Sequence, residues 1–250
     1  MALMLGILAV LINYSPLPEP KLADDNEQSD SNHEKESRWG ILKFPQLIFG
    51  ALTLFFYMGV EVIAGDTIGL FGQEQGVENF GELTSYTMAF MVGAYIIGML
   101  TIPRFISQEK ALALSGISGL FLSVLILNAT GTSDSVWQAL FAWTGITAIP
   151  NVVLYVAMLG FANALVWPAI WPMALEGLGR YTSTGSALLI MGISGGAILP
   201  LVYGSIAESS GNSQAAYWIM IPCYLVIVWY ATVGHKIRKS NTIKVVKESA

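Results

Sequence analysis

Charge is scarce in this sequence. Only 12% of its 250 residues are Asp, Glu, Lys or Arg, about half of the roughly 25% usual in soluble domains. Cysteine is nearly absent. The one present, Cys223, lies in an apolar run, which excludes an intrachain disulfide and any paired-thiol redox motif. The two histidines, His33 and His235, lie in polar flanks and cannot build a metal cluster with a nearby Cys. Their position also excludes a Ser–His pair inside an apolar segment. No basic stripe offers itself to nucleic acid. HExxH, GxSxG, a P-loop and paired catalytic carboxylates are all missing, so the chain carries no enzyme signature and no cofactor is expected. The net charge of −5 is concentrated largely in Glu19–Glu36, which reads as a solvated loop.

What is present is apolar sequence, 54% of the chain. Phe44–Val60, Thr84–Ile102, Ser135–Leu175 and Tyr181–Ala207 carry no charge at all. A bilayer core of ~30 Å is crossed by about 20 helical residues. One such run is compatible with a buried soluble helix, but several are not. The sequence therefore predicts an all-α membrane protein with six full spans: Pro45–Leu70, Thr84–Ile102, Ala111–Asn128, Val152–Leu175, Ser183–Ala207 and Ala215–Gly234.

Residues 1–15 read as a partial transmembrane helix, because Ala2–Ile12 is apolar but too short to span. A signal-peptide core is the alternative, but no Lys or Arg precedes the run and no small-x-small site follows it. Residues 16–44 form a polar linker, 45–234 the six-helix bundle and 235–250 a polar tail. Within the bundle, 135–149 contains Trp137 and Trp143 and is expected to lie flat at the membrane interface.

Lys and Arg test this assignment, since they accumulate in cytoplasmic loops. All 12 fall in the linker (Lys21, Lys35, Arg38, Lys43), after the second span (Arg104, Lys110), after the fourth (Arg180), or in the tail (Lys236, Arg238, Lys239, Lys244, Lys247). The other three loops hold none. An even number of spans is expected, with linker and tail both cytoplasmic.

Buried charge is the first candidate for chemistry. Glu61 sits near the middle of the first full span, where a carboxylate costs roughly 2.5–3.5 kcal/mol on insertion scales and usually faces a cavity or partner. Thr53 and Tyr57 precede it at helical spacing, which places two hydroxyls and a carboxylate on one face, chemistry that suits a polyol. The alternative is a Glu bonded to another helix for packing. The fourth span repeats the spacing with Asn163, Trp167 and Trp171. An amide both donates and accepts, and an indole offers an apolar face plus one N–H. Trp171 is expected to be an interfacial anchor, and Trp167 either lines a cavity or packs. Pro168 and Pro172 should bend the inner half. Glu61 and Asn163 lie at similar depth from opposite directions, and transporter sites usually lie near the midplane. In the fifth span, Gly192 and Gly196 form a small-xxx-small pair, and Gly195, Gly196 and Pro200 predict an interrupted middle.

Three segments together carry a family resemblance: Phe55-Phe-Tyr-Met-Gly-Val-Glu61, Gly160-Phe-Ala-Asn-Ala-Leu-Val-Trp-Pro-Ala-Ile-Trp-Pro172 and Thr184-Gly-Ser-Ala-Leu-Leu-Ile-Met-Gly-Ile-Ser-Gly-Gly-Ala-Ile-Leu-Pro200. The chain resembles the carboxy-terminal half of the fucose–galactose–glucose:proton symporter family, in the major facilitator superfamily, and looks most like its glucose/galactose branch. The resemblance covers nearly all of Pro45–Gly234. It implies helices seven to twelve of a twelve-helix fold, preceded by the end of helix six and the central cytoplasmic loop, in a bacterial inner membrane. It implies a hexose as ligand, a proton as coupling ion, and an amino-terminal half or a homodimer mate as the other wall of the cavity. The family's proton-coupling carboxylates lie in its amino-terminal half and do not carry over to Glu61. Arg104–Lys110 occupies the place of the family's basic loop but departs from its motif. Glu61, Asn163, Tyr57 and Trp167 are the expected sugar-binding residues. Two rivals stay open: a fragment inactive without its first half, and a non-transporting membrane sensor or scaffold.

Overall fold

The chain divides into two units, Met1–Gly40 and Ile41–Ala250. The computed structural model describes residues 38–102, 104–130 and 133–237. The expected partial helix in Ala2–Ile12, most of the polar linker and the tail beyond Ile237 lie outside the described residues.

Among the described residues there are helices and no strands. Six helical stretches are long and apolar enough to cross a membrane: Pro45–Asp66, Phe80–Thr101, Gln108–Asn128, Asn151–Leu175, Gly179–Ser210 and Ser213–Lys236. Together they make the all-α bundle that the hydropathy pattern implies.

Several spans are interrupted, for identifiable reasons. The first is α1 (Pro45–Asp66), continued after Thr67 by α2 (Ile68–Glu74). Pro45 opens α1, where a missing N–H costs nothing. The second is α3 (Leu83–Thr101) and the third α4 (Gln108–Asn128), which Ser107 caps by accepting from the Lys110 N–H. The fourth is split into α6 (Asn151–Asn163) and α7 (Val166–Leu175), following a short outer helix α5 (Ser135–Phe141). The split at Ala164–Leu165 lies where Pro168 acts. Proline has no N–H to give the carbonyl four residues back, and its ring crowds that carbonyl. The fifth span is α8 (Thr182–Met191) and α9 (Gly195–Ser210), joined by a 3-10 turn over Gly192–Ser194. Pro200 again lies inside the helix that follows the interruption. The sixth is α10 (Ser213–Ala216), a 3-10 turn and α11 (Met220–Thr232).

The outer piece is helical over seven residues only, followed by a 3-10 turn at Ala142–Thr144 and a left-handed Gly145 with φ 71°. Trp137 is buried, with its ring 5.0 Å from Phe141 and 5.8 Å from Tyr86, whereas Trp143 is exposed. Within the piece expected at the interface, Trp137 packs against protein and Trp143 does not. The loop is held by Asn151, whose amide donates to Ser133 and Ser135 and whose carbonyl accepts from the Val136 N–H.

The core lies where α1 meets α9, α11 and both halves of the fourth span, with α4 closing the far side. Glycines set the closeness of the α1–α9 contact. A Cβ on Gly195 would overlap the Phe55 carbonyl oxygen, and one on Gly192 would stand 2.8 Å from the Ala51 carbonyl oxygen. Leu199 in turn fills the gap left by Gly59. Thr67 and Tyr217 share a hydrogen bond of 2.9 Å and Ser213 donates to Glu74 at 2.9 Å, tying the start of the sixth span to the end of the first.

Candidate functional site

Four spans bring their mid-depth polar side chains together. From α1, Tyr57 and Glu61 lie one turn apart on the same face. Tyr57 is almost wholly buried, and its hydroxyl lies beside the half-buried Glu61 carboxylate, placed to donate to it. A carboxylate accepts at two oxygens, so a phenol on one side leaves further acceptor positions. Thr53, expected on the same polar face, is spent elsewhere: its hydroxyl donates to the Phe49 carbonyl at 2.7 Å within its own helix. That back-bond is always within reach of a helical threonine.

From the fourth span come Asn163, the last residue of α6, and Trp167, in the first turn of α7. The interruption between them leaves Trp167 half-buried, its ring centroid 6.5 Å from Tyr57. Trp171 stacks on Trp167 at 5.4 Å, so it packs against the candidate site. Asn163 has no exposed surface at all. Its side-chain carbonyl accepts the Tyr224 hydroxyl at 2.8 Å, and its amide nitrogen has no partner. Pro168 is exposed.

Two tyrosines that sequence reasoning passed over complete the cluster. Tyr95 of α3 is 38% exposed and close enough to Glu61 to feel its charge. Tyr224 of α11 is fully buried and lies near both Glu61 and Asn163. No spacing rule within either span singles them out, because their role depends on which helix faces meet. The weak signal available was a phenol at mid-depth in an otherwise apolar run.

The four expected sugar-binding residues thus divide in two. Glu61 and Trp167 present surface, while Tyr57 and Asn163 stand behind them. Gly192, Gly195, Gly196 and Pro200 lie at or beside the interruption of the fifth span, which packs along α1 on the residues flanking Tyr57. Among the described residues no group of His, Cys, Asp and Glu could hold a metal ion. A carboxylate braced by a phenol, a half-exposed indole and a second phenol can accept hydrogen bonds from hydroxyls and cover the C–H face of a ring.

No family model matches the chain. The glucose/galactose transporter of Brucella abortus is 30% identical over 240 residues, covering 94% of this chain and 52% of that protein. The L-fucose-proton symporter of Haemophilus influenzae is 28% identical over 202 residues, covering 76% of this chain and 42% of that protein. Among solved structures, the fucose:proton symporter of Escherichia coli superposes with a TM-score of 0.73 at 20% identity, over 91% of this chain and 52% of that one. A major facilitator superfamily transporter in the outward conformation gives a TM-score of 0.71. The chain is a relative of these sugar transporters and has the fold of half a major facilitator protein. It spans about half the length of the curated relatives it matches.

Proposed function

We propose that the chain is the carboxy-terminal half of a proton-coupled hexose permease, and that glucose or galactose is its ligand. The observation that carries this reading is Glu61, a half-buried mid-span carboxylate braced by Tyr57 and flanked by the half-exposed Trp167. An intramembrane carboxylate is expensive and is kept where it meets a cavity or partner. The likeness to a glucose/galactose transporter and to an L-fucose-proton symporter supports the substrate class and the coupling ion.

Glu61 accepts hydrogen bonds from sugar hydroxyls and Trp167 lies against the ring's C–H face. Tyr57 acts from behind, Asn163 supplies a buried amide beside the site, and Tyr95 lines the open side. The interruptions at Ala164–Leu165 and Gly192–Ser194 allow the fourth and fifth spans to bend as the halves rock about the ligand. Six helices offer one wall of such a cavity. The other wall is the amino-terminal half, or else a second copy of this bundle, and it brings the proton-coupling carboxylates that the family resemblance implies. The membrane is the bacterial inner membrane, with linker and tail on the cytoplasmic side, in keeping with the distribution of Lys and Arg.

The test is hexose uptake into vesicles by the complete permease with Glu61→Gln and, separately, Trp167→Ala. Glu61→Gln should lose about tenfold in apparent affinity, since a hydrogen bond to a charged group contributes about 1.5–3 kcal/mol and tenfold is about 1.4 kcal/mol, and Trp167→Ala should lose affinity through the apolar surface taken from the ring. Uptake unchanged in both would refute the site assignment. The half-length coverage favours one second reading, that the chain alone is inactive. Co-expression with a separately encoded first half should then restore uptake that the chain alone lacks.

A further inference from the structure

Asn163 is bound at one end only. Its carbonyl oxygen takes the Tyr224 hydroxyl at 2.8 Å, while its amide nitrogen is buried with no acceptor. Buried polar atoms without partners are few in folded proteins, and each one calls for an explanation. Tyr224 itself is held firmly. Its ring fills the space above Gly119, where a Cβ would lie 2.5 Å from two ring carbons. A phenol can donate or accept; here it donates to the carbonyl oxygen, and in that arrangement the amide N–H groups point away from it.

Position matters too. Asn163 ends α6, directly before the interrupted turn at Ala164–Leu165. Tyr224 is also close enough to Glu61 to feel its charge. One buried phenol thus neighbours both polar groups of the candidate site.

We propose that Tyr224 is a positioning residue that sets hydroxyl specificity: by holding the Asn163 carbonyl, it reserves the amide N–H donors for a sugar hydroxyl. This rests on the reading of the chain as a hexose-binding half. The site then offers two unlike ends. Glu61 only accepts, so it takes a hydroxyl that donates. Asn163 only donates, so it takes a hydroxyl that accepts. The amide meets its hydroxyl when the fourth span bends at the adjacent interruption, which explains why it has no partner in the present arrangement. Without the Tyr224 hydroxyl the amide is free to turn over and offer either end, and discrimination at that hydroxyl is lost.

The experiment measures competition against hexose by a series of monodeoxy hexoses in the complete permease, for wild type, Tyr224→Phe and Asn163→Asp. A site built to bond a hydroxyl rejects an analogue lacking it, because its own polar group is left unpaired. Wild type should show two positions whose deoxy analogues bind about tenfold or more weakly. Tyr224→Phe should shrink one of those penalties to under about threefold and leave the other, at Glu61, in place. Asn163→Asp, which exchanges donors for acceptors, should abolish the same penalty that Tyr224→Phe shrinks. The amount of each variant in the membrane is measured alongside. A Tyr224→Phe protein that is merely less abundant or less thermostable, with the wild-type pattern of penalties, would overturn the inference while leaving the hexose-binding reading intact. Wild type that binds no hexose would overturn both.

Discussion

The six spans are alike in apolarity and unlike in burial. The second and fifth have mean hydropathies of 1.5 and 1.9, against 1.7 to 2.0 for the other four. Yet only 22% and 28% of their apolar windows are buried, against 44% to 67% for the first, third, fourth and sixth. Hydropathy reports that a helix avoids water, and lipid and protein satisfy that equally well. Burial reports which neighbour it has. The second and fifth spans leave large apolar side chains uncovered, among them Met99 and Leu201, and Tyr95, at the edge of the candidate site, lies on that more open side. The buried spans hold the polar side chains in place.

The largest expected effect comes from forcing the two regions apart where they touch. Gly195→Leu puts side-chain atoms where the Phe55 backbone lies, and overpacking of this kind costs about 3 kcal/mol or more. Thermal unfolding in detergent should show a large loss of stability or no folded protein. Gly204→Ala, on the same helix but with nothing near its Cβ position, should leave stability unchanged or raise it by about 0.5–1 kcal/mol. Equal behaviour of the two would mean that α9 does not pack on α1 as described.

Tyr57→Phe comes next. It leaves Glu61 without its brace and removes one hydrogen bond to a charged group, a change of about 1.5–3 kcal/mol. Hexose affinity measured by competition should fall about tenfold while the amount of protein in the membrane holds steady. A loss of abundance with affinity unchanged would make the Tyr57–Glu61 pair a packing device.

The smallest effect is expected far from the site. His235 Nδ1 lies 2.8 Å from the Tyr230 carbonyl oxygen, and Glu109 lies 3.4 Å from His235 Nε2 and 3.8 Å from Lys236 Nζ. Glu109 is half exposed, so water screens the contact. Glu109→Gln should cost under about 1 kcal/mol in thermal unfolding and leave hexose affinity unchanged.

These comparisons show what could be read in advance. Apolar runs sufficed for a six-span helical bundle, because they follow from contact with lipid. Glu61 and Asn163 stood out because polar groups at mid-span are rare. Pro168 located an interruption, although the break falls at Ala164–Leu165, where the proline's ring and missing N–H act on the turn before it. Tyr95 and Tyr224 were not legible. Their importance comes from the meeting of α3 and α11 with α1 and α6, and that meeting is a tertiary fact with no period in any one helix. Thr53 was misplaced for the opposite reason. Its spacing fitted the polar face, but its hydroxyl had a carbonyl of its own helix within reach. The packing of Trp137 against Tyr86 and Phe141 is likewise a tertiary fact that no spacing announces.

One labelling experiment tests the central claim, that the Glu61 cluster faces a water-filled cavity occupied by hexose. Tyr95→Cys in the complete permease introduces an accessible thiol, while the native thiol in this half, Cys223, is buried and silent. Cys223→Ser in the same protein, with any cysteine of the first half replaced as well, removes the remaining background. The account predicts labelling by a membrane-impermeant maleimide that slows severalfold when glucose or galactose is added. Labelling at the same rate with and without hexose, or none in either case, would contradict it.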